Sequence, residues 1–205
     1  HGFAFGLKGS FEYLPDADCP TFLKFLDRIF AGDADLIRFI QTAIGYSLTG
    51  DISEQCWFIC YGGGSNGKST LLNTILEILA GYGQQAPPDL LLQGRGDEDK
   101  RATQMATLVG KRFALAQETG EGRALAEAAI KAMTGGDVVV ARFLYQTAFS
   151  FKPTHKLWLA TNSKPVVRDP SEGTWRRINL IPFDQHIPAA ERDAKLPEKL
   201  KAELP

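Results

Sequence analysis

The sequence has few cysteines and no long apolar segment, and each shortage excludes a class of protein. No apolar run is long enough to span a bilayer and the N-terminus shows no signal-like segment, so we expect no membrane association. The three cysteines are an odd number without metal-like spacing to a histidine, which favours reduced thiols and a cytoplasmic location. Cys56 and Cys60 lie in or beside an apolar run, and we interpret them as small buried hydrophobic side chains.

Neither sign of charge is in excess. The 205 residues carry 23 Lys and Arg against 24 Asp and Glu, a net charge of -1. A monomer that binds nucleic acid over a broad face is usually basic, so this balance argues against that mode. It leaves open a local positive strip, or a basic channel formed by several subunits. The length fits one domain of generous size, or one domain with a small addition.

Two helical patterns precede the first predicted strand. In the first pattern Gly32 ends a run of apolar residues at helical spacing, namely Phe22, Phe25, Leu26 and Ile29. Asp33 can cap a second helix, whose apolar face consists of Leu36, Ile37, Phe39, Ile40 and Ile44. We interpret residues 1–20 as an extended lead-in and residues 21–51 as an N-terminal helical segment that closes in a turn at residues 47–51.

Short apolar runs then alternate with helical patterns. Buried strands are predicted at residues 56–61, 112–118, 156–162 and 176–183, and helices at residues 68–80 and 124–133, the latter ended by Gly135 and Gly136. This alternation predicts an α/β fold with a mostly parallel central sheet covered by helices on both faces. We assign residues 52–184 to this core and residues 185–205 to the start of a C-terminal helical region that we expect to continue in a longer protein.

A glycine-rich loop between the first strand and its helix predicts a nucleotide phosphate site. Gly62, Gly67, Lys68 and Ser69 fit the pattern G-x-x-x-x-G-K-[ST]. Glycines let successive backbone N–H groups turn towards a phosphate, and the following helix brings its positive end to the same place. Lys68 would reach the β- and γ-phosphates of ATP and Ser69 would bind Mg²⁺. The residues predicted to contact the nucleotide are Gly62, Gly63, Gly64, Ser65, Asn66, Gly67, Lys68, Ser69 and Thr70.

Three polar features follow the later strands. Gln117 and Glu118 end the second strand, at the edge where open α/β sheets hold ligands, so Glu118 could orient a water, take its proton, or simply face solvent. Asn162 ends the third strand and could hold the attacking water or form a turn. Arg176 and Arg177 begin the fourth strand and could stabilise transition-state charge from a neighbouring copy, or be ordinary solvated charges.

The order and spacing of these motifs resemble the superfamily 3 helicases, and in particular the helicase part of phage and plasmid primase–helicases, which poxviruses share. The resemblance covers nearly the whole chain. It rests on the segments "FLDRIFAGDADLIRFIQTAIGYSLTGD", "YGGGSNGKSTLLNTI", "IKAMTGGDVVVARFLY", "FSFKPTHKLWLATNSKP", "GTWRRINLIPF" and "KLPEKLKAELP". It implies an AAA+ fold, a homohexameric ring, ATP hydrolysis between subunits, translocation along single-stranded DNA and an upstream primase.

The resemblance also implies roles for individual residues. By position, Lys68 and Ser69 belong to the phosphate loop, and Glu118 holds the Walker B place, where Mg²⁺ is bound. Asn162 holds the sensor place. Arg177 corresponds to the trans-acting arginine finger, with Arg176 beside it as a second candidate. Lys131 also matches the family pattern, although a solvated helix lysine would look the same.

A predicted hairpin between the second and third strands supplies the candidate DNA contacts. Residues 138–140 form one arm and residues 149–151 the other. In the resemblance this hairpin projects into the ring channel, where Arg142 and Lys152 supply charge and Tyr145 stacks on a base. Gln146 stands at the tip, where the family usually carries a basic residue. An ordinary hairpin at the edge of a sheet would give the same pattern.

Two other functions fit a phosphate loop and stay open at this point. A small-molecule kinase would need an arginine-rich lid and an acceptor pocket, and the sequence shows no such lid. An ATP-binding assembly platform for replication proteins would keep its activity in a Glu118→Gln variant, whereas a helicase would lose it. The ordered motif set favours an ATP-dependent DNA helicase module over both alternatives.

Overall fold

The computed structural model describes residues 14, 16–93, 98–118 and 123–203. Most of the predicted lead-in lies outside these residues. Two helices come first, α1 (Pro20–Ile29) and α2 (Ala34–Leu48). Five segments then alternate along the chain: β1 (Trp57–Tyr61), α3 (Lys68–Leu79), β2 (Gly83–Ala86), α4 (Glu98–Ala106) and β3 (Phe113–Glu118). The remaining elements are α5 (Glu127–Thr134), β4 (Val139–Ala141), β5 (Phe149–Phe151), β6 (Lys156–Thr161), α6 (Glu172–Trp175), β7 (Ile178–Pro182) and α7 (Leu196–Ala202).

Five strands form one parallel sheet in the order β2-β3-β6-β1-β7. The α/β fold class with a mostly parallel central sheet is therefore confirmed. The register places Tyr61, Thr161 and Glu118 in one row across β1, β6 and β3. The C-terminal ends of these three strands consequently meet at one edge of the sheet, which we call the upper edge, and their N-terminal ends meet at the lower edge.

Both faces of the sheet are covered, as the apolar strands predict. Successive residues of a strand point to opposite faces, so Phe58 and Cys60 of β1 face one layer and Trp57 and Ile59 face the other. The first layer is packed by α1, α2, α3 and α7. The second layer is packed by α4, α5 and the β4–β5 hairpin. We call these the first and second layers below.

The N-terminal helices follow the predicted pattern closely. Asp33 caps α2, because its carboxylate accepts a hydrogen bond of 3.0 Å from the backbone N–H of Leu36. Phe39 departs from the prediction: its side chain is exposed, and only its ring edge approaches Phe58, at 6.3 Å between centroids. In the predicted turn at residues 47–51, Ser47 and Leu48 still belong to α2.

Two other features differ from the sequence prediction. The predicted helix at residues 124–133 begins only at Glu127, because Leu125 forms a bridge with Leu92 and Ala124 forms one with Val166. The strand β2 was not predicted. It is one of the two edge strands of the sheet, with β7 at the other edge, and it pairs with β3. It contains Gly83, Gln84 and Gln85, so it lacks the apolar run of a central strand.

The cysteines differ in burial: Cys60 is buried as predicted, whereas Cys56 is only half-buried. All three cysteines are free, and burial raises the pKa of the Cys60 thiol far above its usual range. Among the residues described, no helix is both long enough and apolar enough to cross a membrane.

A buried histidine makes the stability of this fold dependent on pH. His155 precedes β6, is 1% exposed, and neither ring nitrogen has a hydrogen-bond partner. Burial, aided by the charge of Lys156, lowers the pKa of His155 to about 4. In the unfolded chain the same ring would titrate near its ordinary value, so between these two pKa values the unfolded state binds the extra proton.

We predict that His155→Leu flattens the acid limb of the stability curve. As pH falls from about 6.5 towards 4, the wild type should lose up to about 3 kcal/mol of unfolding free energy that the variant keeps. Urea unfolding at pH 7 and at pH 4.5 measures this difference. Equal losses in the two proteins would contradict the assignment, since all other titrating groups are common to both.

Candidate functional site

The glycine-rich loop at residues 62–67 joins β1 to α3 at the upper edge of the sheet. Gly62 has a positive φ of 149°, and a Cβ atom there would collide with the carbonyl oxygen of Phe183. Gly67 caps α3 with a φ of 81°, and a Cβ atom there would lie 2.5 Å from Cγ2 of Ile29. The two glycines of the motif are therefore required by the backbone and by close packing.

The residues between these glycines have different roles. A Cβ atom added at Gly63 or Gly64 would meet no other atom, so the outer side of the loop is open at these two residues. Ser65 is exposed. Asn66 is buried, and its amide donates hydrogen bonds to the carbonyls of Gly63 and Phe183. Asn66 thus shapes the loop from within, while the open side of the loop is available to a ligand.

Lys68 lies beneath the loop and is 6% exposed. Its ammonium donates a hydrogen bond of 2.9 Å to the carbonyl of Gly62 and another to the carbonyl of Thr161, at the end of β6. Burial lowers the pKa of Lys68. In the same first turn of α3, Ser69 is exposed and Thr70 is half-buried. The lysine charge is thus held between the loop and the neighbouring strand end.

Glu118 ends β3 in the same row of the sheet as Thr161. Its carboxylate accepts a hydrogen bond of 2.7 Å from Arg123, which also bonds Asp89 at 2.7 Å and the carbonyl of Gln93. The guanidinium lowers the pKa of the Asp89 carboxyl. Sequence reasoning missed Arg123 and Asp89. They are 34 positions apart and no motif connects them, so only the fold brings them to Glu118.

The other predicted residues at the upper edge lie close to Glu118. Asn162 is exposed and directly follows β6, the strand between β1 and β3. Gln117 donates a hydrogen bond of 2.9 Å to the side chain of Asn73 and thereby joins β3 to α3. The structure therefore brings Lys68, Glu118 and Asn162 to one edge of the sheet, as the sequence predicts.

A cavity of about 500 Å³ opens beside the loop. One wall is formed by the loop and the start of α3, and the opposite wall by α1 and the chain at residues 187–197. Polar and apolar side chains share the lining, among them Lys24, Phe25, Arg28, Thr70, Ile187 and Arg192. This volume lies in the range of small-molecule sites.

The two predicted arginines lie at the lower edge, away from the loop. The backbone N–H of Trp57, at the start of β1, bonds the carbonyl of Arg177 at 2.8 Å. The five residues of β1 separate this point from the loop by about 16 Å. Arg177 is half-buried and donates to the carbonyl of Gly173, whereas Arg176 is exposed. Neither arginine belongs to the site of its own chain.

The β4–β5 hairpin presents an apolar tip with little charge. Tyr145 is 95% exposed and adopts a positive φ of 62°, and Gln146 beside it is exposed too. Arg142 lies at the base, where its backbone N–H bonds the carbonyl of Ala102 in α4. Lys152, just after β5, is exposed. The tip therefore offers an aromatic ring, and the two basic residues lie farther back along the hairpin.

Comparisons with known proteins agree with this architecture. The family described as "Family of unknown function (DUF5906)" matches residues 60–177. A protein of Acanthamoeba polyphaga mimivirus named "Putative helicase L207/L206" is 30% identical over 85% of this chain and 18% of its own length. A protein of African swine fever virus named "Putative primase C962R" is 28% identical over 70% of this chain and 15% of its own length. The chain spans less than a fifth of each relative.

A solved structure shares the fold at low sequence identity. The C-terminal region of NrS-1 superposes with a TM-score of 0.69 at 14% identity, over 97% of this chain and 45% of the other. Fold and loop define a P-loop α/β protein, and the predicted resemblance to viral helicases and primases is confirmed. The chain belongs to the family of unknown function matched at residues 60–177, and its relatives bear helicase and primase names in large DNA viruses.

The packing of the loop gives a prediction that is independent of any ligand. Gly62→Ala should lower the unfolding free energy by about 2 kcal/mol or more, because the added methyl group meets a backbone carbonyl at a positive φ. The neighbouring Gly63→Ala should change it by less than about 0.5 kcal/mol, because no atom lies near the added group. Urea unfolding of both variants measures the contrast, and equal destabilisation would contradict the described loop conformation.

Proposed function

We propose that this chain is the ATP-dependent DNA helicase module of a replication primase–helicase, a motor that hydrolyses ATP between subunits and moves along single-stranded DNA. One observation carries the proposal. The phosphate loop, Glu118 and Asn162 share the upper edge of the sheet, while the arginine pair lies at the lower edge. A pocket divided in this way is completed when one copy places its lower edge against the upper edge of the next.

The open side of the loop supports ATP as the nucleotide. Gly63 and Gly64 leave the outer side of the loop without side chains, where the triphosphate would lie, and Lys68 supplies the positive charge. The cavity beside Thr70 is large enough for the nucleoside. Lys68 would exchange its carbonyl partners for phosphate oxygens, a stronger pairing because both partners are then charged.

The residues at the upper edge fit a magnesium ion that is shared with the nucleotide. Ser69 and Glu118 offer oxygen atoms, and the described residues contain no cluster of three or more acidic, histidine or cysteine side chains that could hold a metal alone. Mg²⁺ commonly binds through one or two protein oxygens, with phosphates and water completing its shell. When bound, it neutralises charge that develops on the phosphates. Glu118 and Asn162 would position the attacking water.

The arginines act in trans in this proposal. About 16 Å of strand separates Arg177 from the loop of its own chain, so a guanidinium can reach the γ-phosphate only from a neighbouring copy. A closed ring satisfies this requirement for every copy at once, which supports the expected homohexamer. To reach a neighbour, Arg176 must leave its contact with Gln55, and Arg177 must leave its contacts with Gln55 and Gly173.

We predict that active sites assembled from two inactive variants recover ATP hydrolysis. Lys68→Ala removes the loop charge, and Arg176→Ala with Arg177→Ala removes the trans contribution, so each variant of the full-length protein should lose on the order of 10³-fold in rate. In a mixture, the loop of the arginine variant meets the arginines of the lysine variant, and turnover should return. Steady-state ATPase assays of each protein and of the mixture measure this.

ATP binding to isolated subunits serves as the control for that experiment. The arginine variant should bind ATP like the wild type, because the arginines lie outside the site of their own chain. A large loss of affinity, or a mixture that stays inactive, would contradict hydrolysis at a shared site. The single variants Arg176→Ala and Arg177→Ala then show which guanidinium reaches the neighbour.

We further predict that Tyr145 provides most of the grip of the hairpin on single-stranded DNA. Its ring is almost fully exposed at the tip, and stacking of one base on an aromatic ring is worth about 1–3 kcal/mol. Tyr145→Ala should therefore weaken binding of the full-length protein roughly 5- to 150-fold, whereas Tyr145→Phe should bind like the wild type. Fluorescence anisotropy with a labelled oligonucleotide at fixed salt measures both affinities, and an unchanged affinity in Tyr145→Ala would remove the hairpin from the DNA interface.

A further inference from the structure

Gln55 links three elements at the lower edge of the sheet. It lies in the short loop before β1, and its backbone adopts a positive φ of 51°. A residue other than glycine rarely adopts this conformation. The backbone N–H of Gln55 bonds the carbonyl of Ile52 at 3.0 Å, which holds the turn in place. This conformation directs the side chain amide between α5 and the start of β7.

The amide oxygen of Gln55 receives both arginines of the proposed trans pair. Nη2 of Arg176 donates to it at 2.9 Å, and Nη2 of Arg177 donates to it at 3.0 Å. Two like charges are thereby brought to one neutral acceptor. Burial, together with the charge of Arg176, lowers the pKa of Arg177. Nε of Arg177 is buried without a hydrogen-bond partner, so this resting position leaves the guanidinium incompletely satisfied.

The other end of the same amide reaches the element that leads into the hairpin. Nε2 of Gln55 donates a hydrogen bond of 3.3 Å to the carbonyl of Gly135, the residue that caps α5. The chain continues from Gly135 directly into the hairpin, which begins at Val139. A displacement of the hairpin base would therefore move the carbonyl of Gly135, which holds the amide of Gln55. The amide oxygen that accepts from both guanidiniums would move with it.

Further contacts join α5 to the chain that carries the arginines. Lys131 forms an ion pair of 2.5 Å with Asp169, whose carboxylate also accepts hydrogen bonds from Ser171 and Thr174. Glu127 accepts hydrogen bonds from the backbone N–H groups of Arg168 and Asp169. Since α5 and residues 168–177 are tied along their length, Gln55 lies at the lower end of one continuous contact region.

We propose that Gln55 is a positioning residue that couples the base of the hairpin to the arginine pair, so that DNA held at the hairpin changes where the arginines point. The coupling to ATP turnover rests on the proposed function, whereas the physical link between the two segments does not. Gln55 holds the guanidiniums in a resting position and releases them when Gly135 moves.

Two substitutions in the full-length protein separate the two ends of this link. Gln55→Ala removes both contacts. Gln55→Glu is nearly the same size but adds a charge that holds both guanidiniums more tightly, and it cannot donate to the carbonyl of Gly135. Gln41→Glu is the matched control, because Gln41 is an exposed glutamine of α2 that takes the same charge change. Thermal unfolding confirms that each variant is folded.

Hydrogen–deuterium exchange measures the link without any assay of activity. Gln55→Ala should raise exchange severalfold in both segments, the hairpin at residues 137–153 and the arginine segment at residues 168–177. Gln55→Glu should raise exchange in the hairpin and lower it in the arginine segment, and Gln41→Glu should change neither. Changes confined to residues 52–56 in both Gln55 variants would overturn the proposal.

ATP turnover with and without single-stranded DNA measures the consequence for activity. Gln55→Glu should lower kcat at least tenfold, because the added charge keeps both arginines bound to residue 55 and away from the neighbouring copy. The affinity of isolated subunits for ATP should stay within twofold of the wild type. In Gln55→Ala the ratio of the ATP turnover rate with single-stranded DNA to the rate without it should approach one. Stimulation unchanged in Gln55→Ala would overturn the coupling. A wild type without ATP turnover would instead refute the proposed function, and the exchange pattern would still decide whether Gln55 joins the two segments.

Discussion

The site depends on the position of β6 between β1 and β3. Hydrogen bonding on both sides fixes the register of the three strands, so Tyr61, Thr161 and Glu118 end in one row. The loop after β1, the amide after β6 and the carboxylate of β3 therefore meet at the upper edge. A shift of β6 by one residue would reverse the faces of its side chains and take Trp158 away from Phe58 and Phe113 in the first layer, where its ring is now buried. The packing of the core thus sets the geometry of the site.

The same sheet separates the two halves of the proposed pocket. Parallel strands carry the loop at one edge and the arginine pair at the other, and the length of β1 keeps them apart within one chain. In the proposed assembly each copy contributes the loop to one interface and the arginine pair to the next. Such head-to-tail interfaces are heterologous and can close into a ring. The near-neutral composition agrees with such an assembly, because the hairpin of each copy would need to supply only a few contacts to a shared channel.

The sequence predicts those features that depend on local spacing. The loop motif, the cap at Asp33 and the four predicted strands are encoded within short segments, and the structure contains all of them. The strand β2 escapes prediction because an edge strand needs no apolar run. The contacts of Arg123 with Glu118 and Asp89, and of Gln55 with the arginine pair, also escape prediction. They join residues from distant parts of the chain, and neither follows a pattern that spacing can reveal.

The alternation of side chains along β1 divides the molecule into two compartments. Phe58 and Cys60 support the layer beside the glycine-rich loop, and Trp57 and Ile59 support the layer on which the hairpin packs. Since no side chain of a strand belongs to both layers, the sheet acts as a partition. The hairpin packs on the same layer as α4 and α5, so a displacement of the hairpin would act first on that layer and would reach the other layer through contacts at the edges of the sheet.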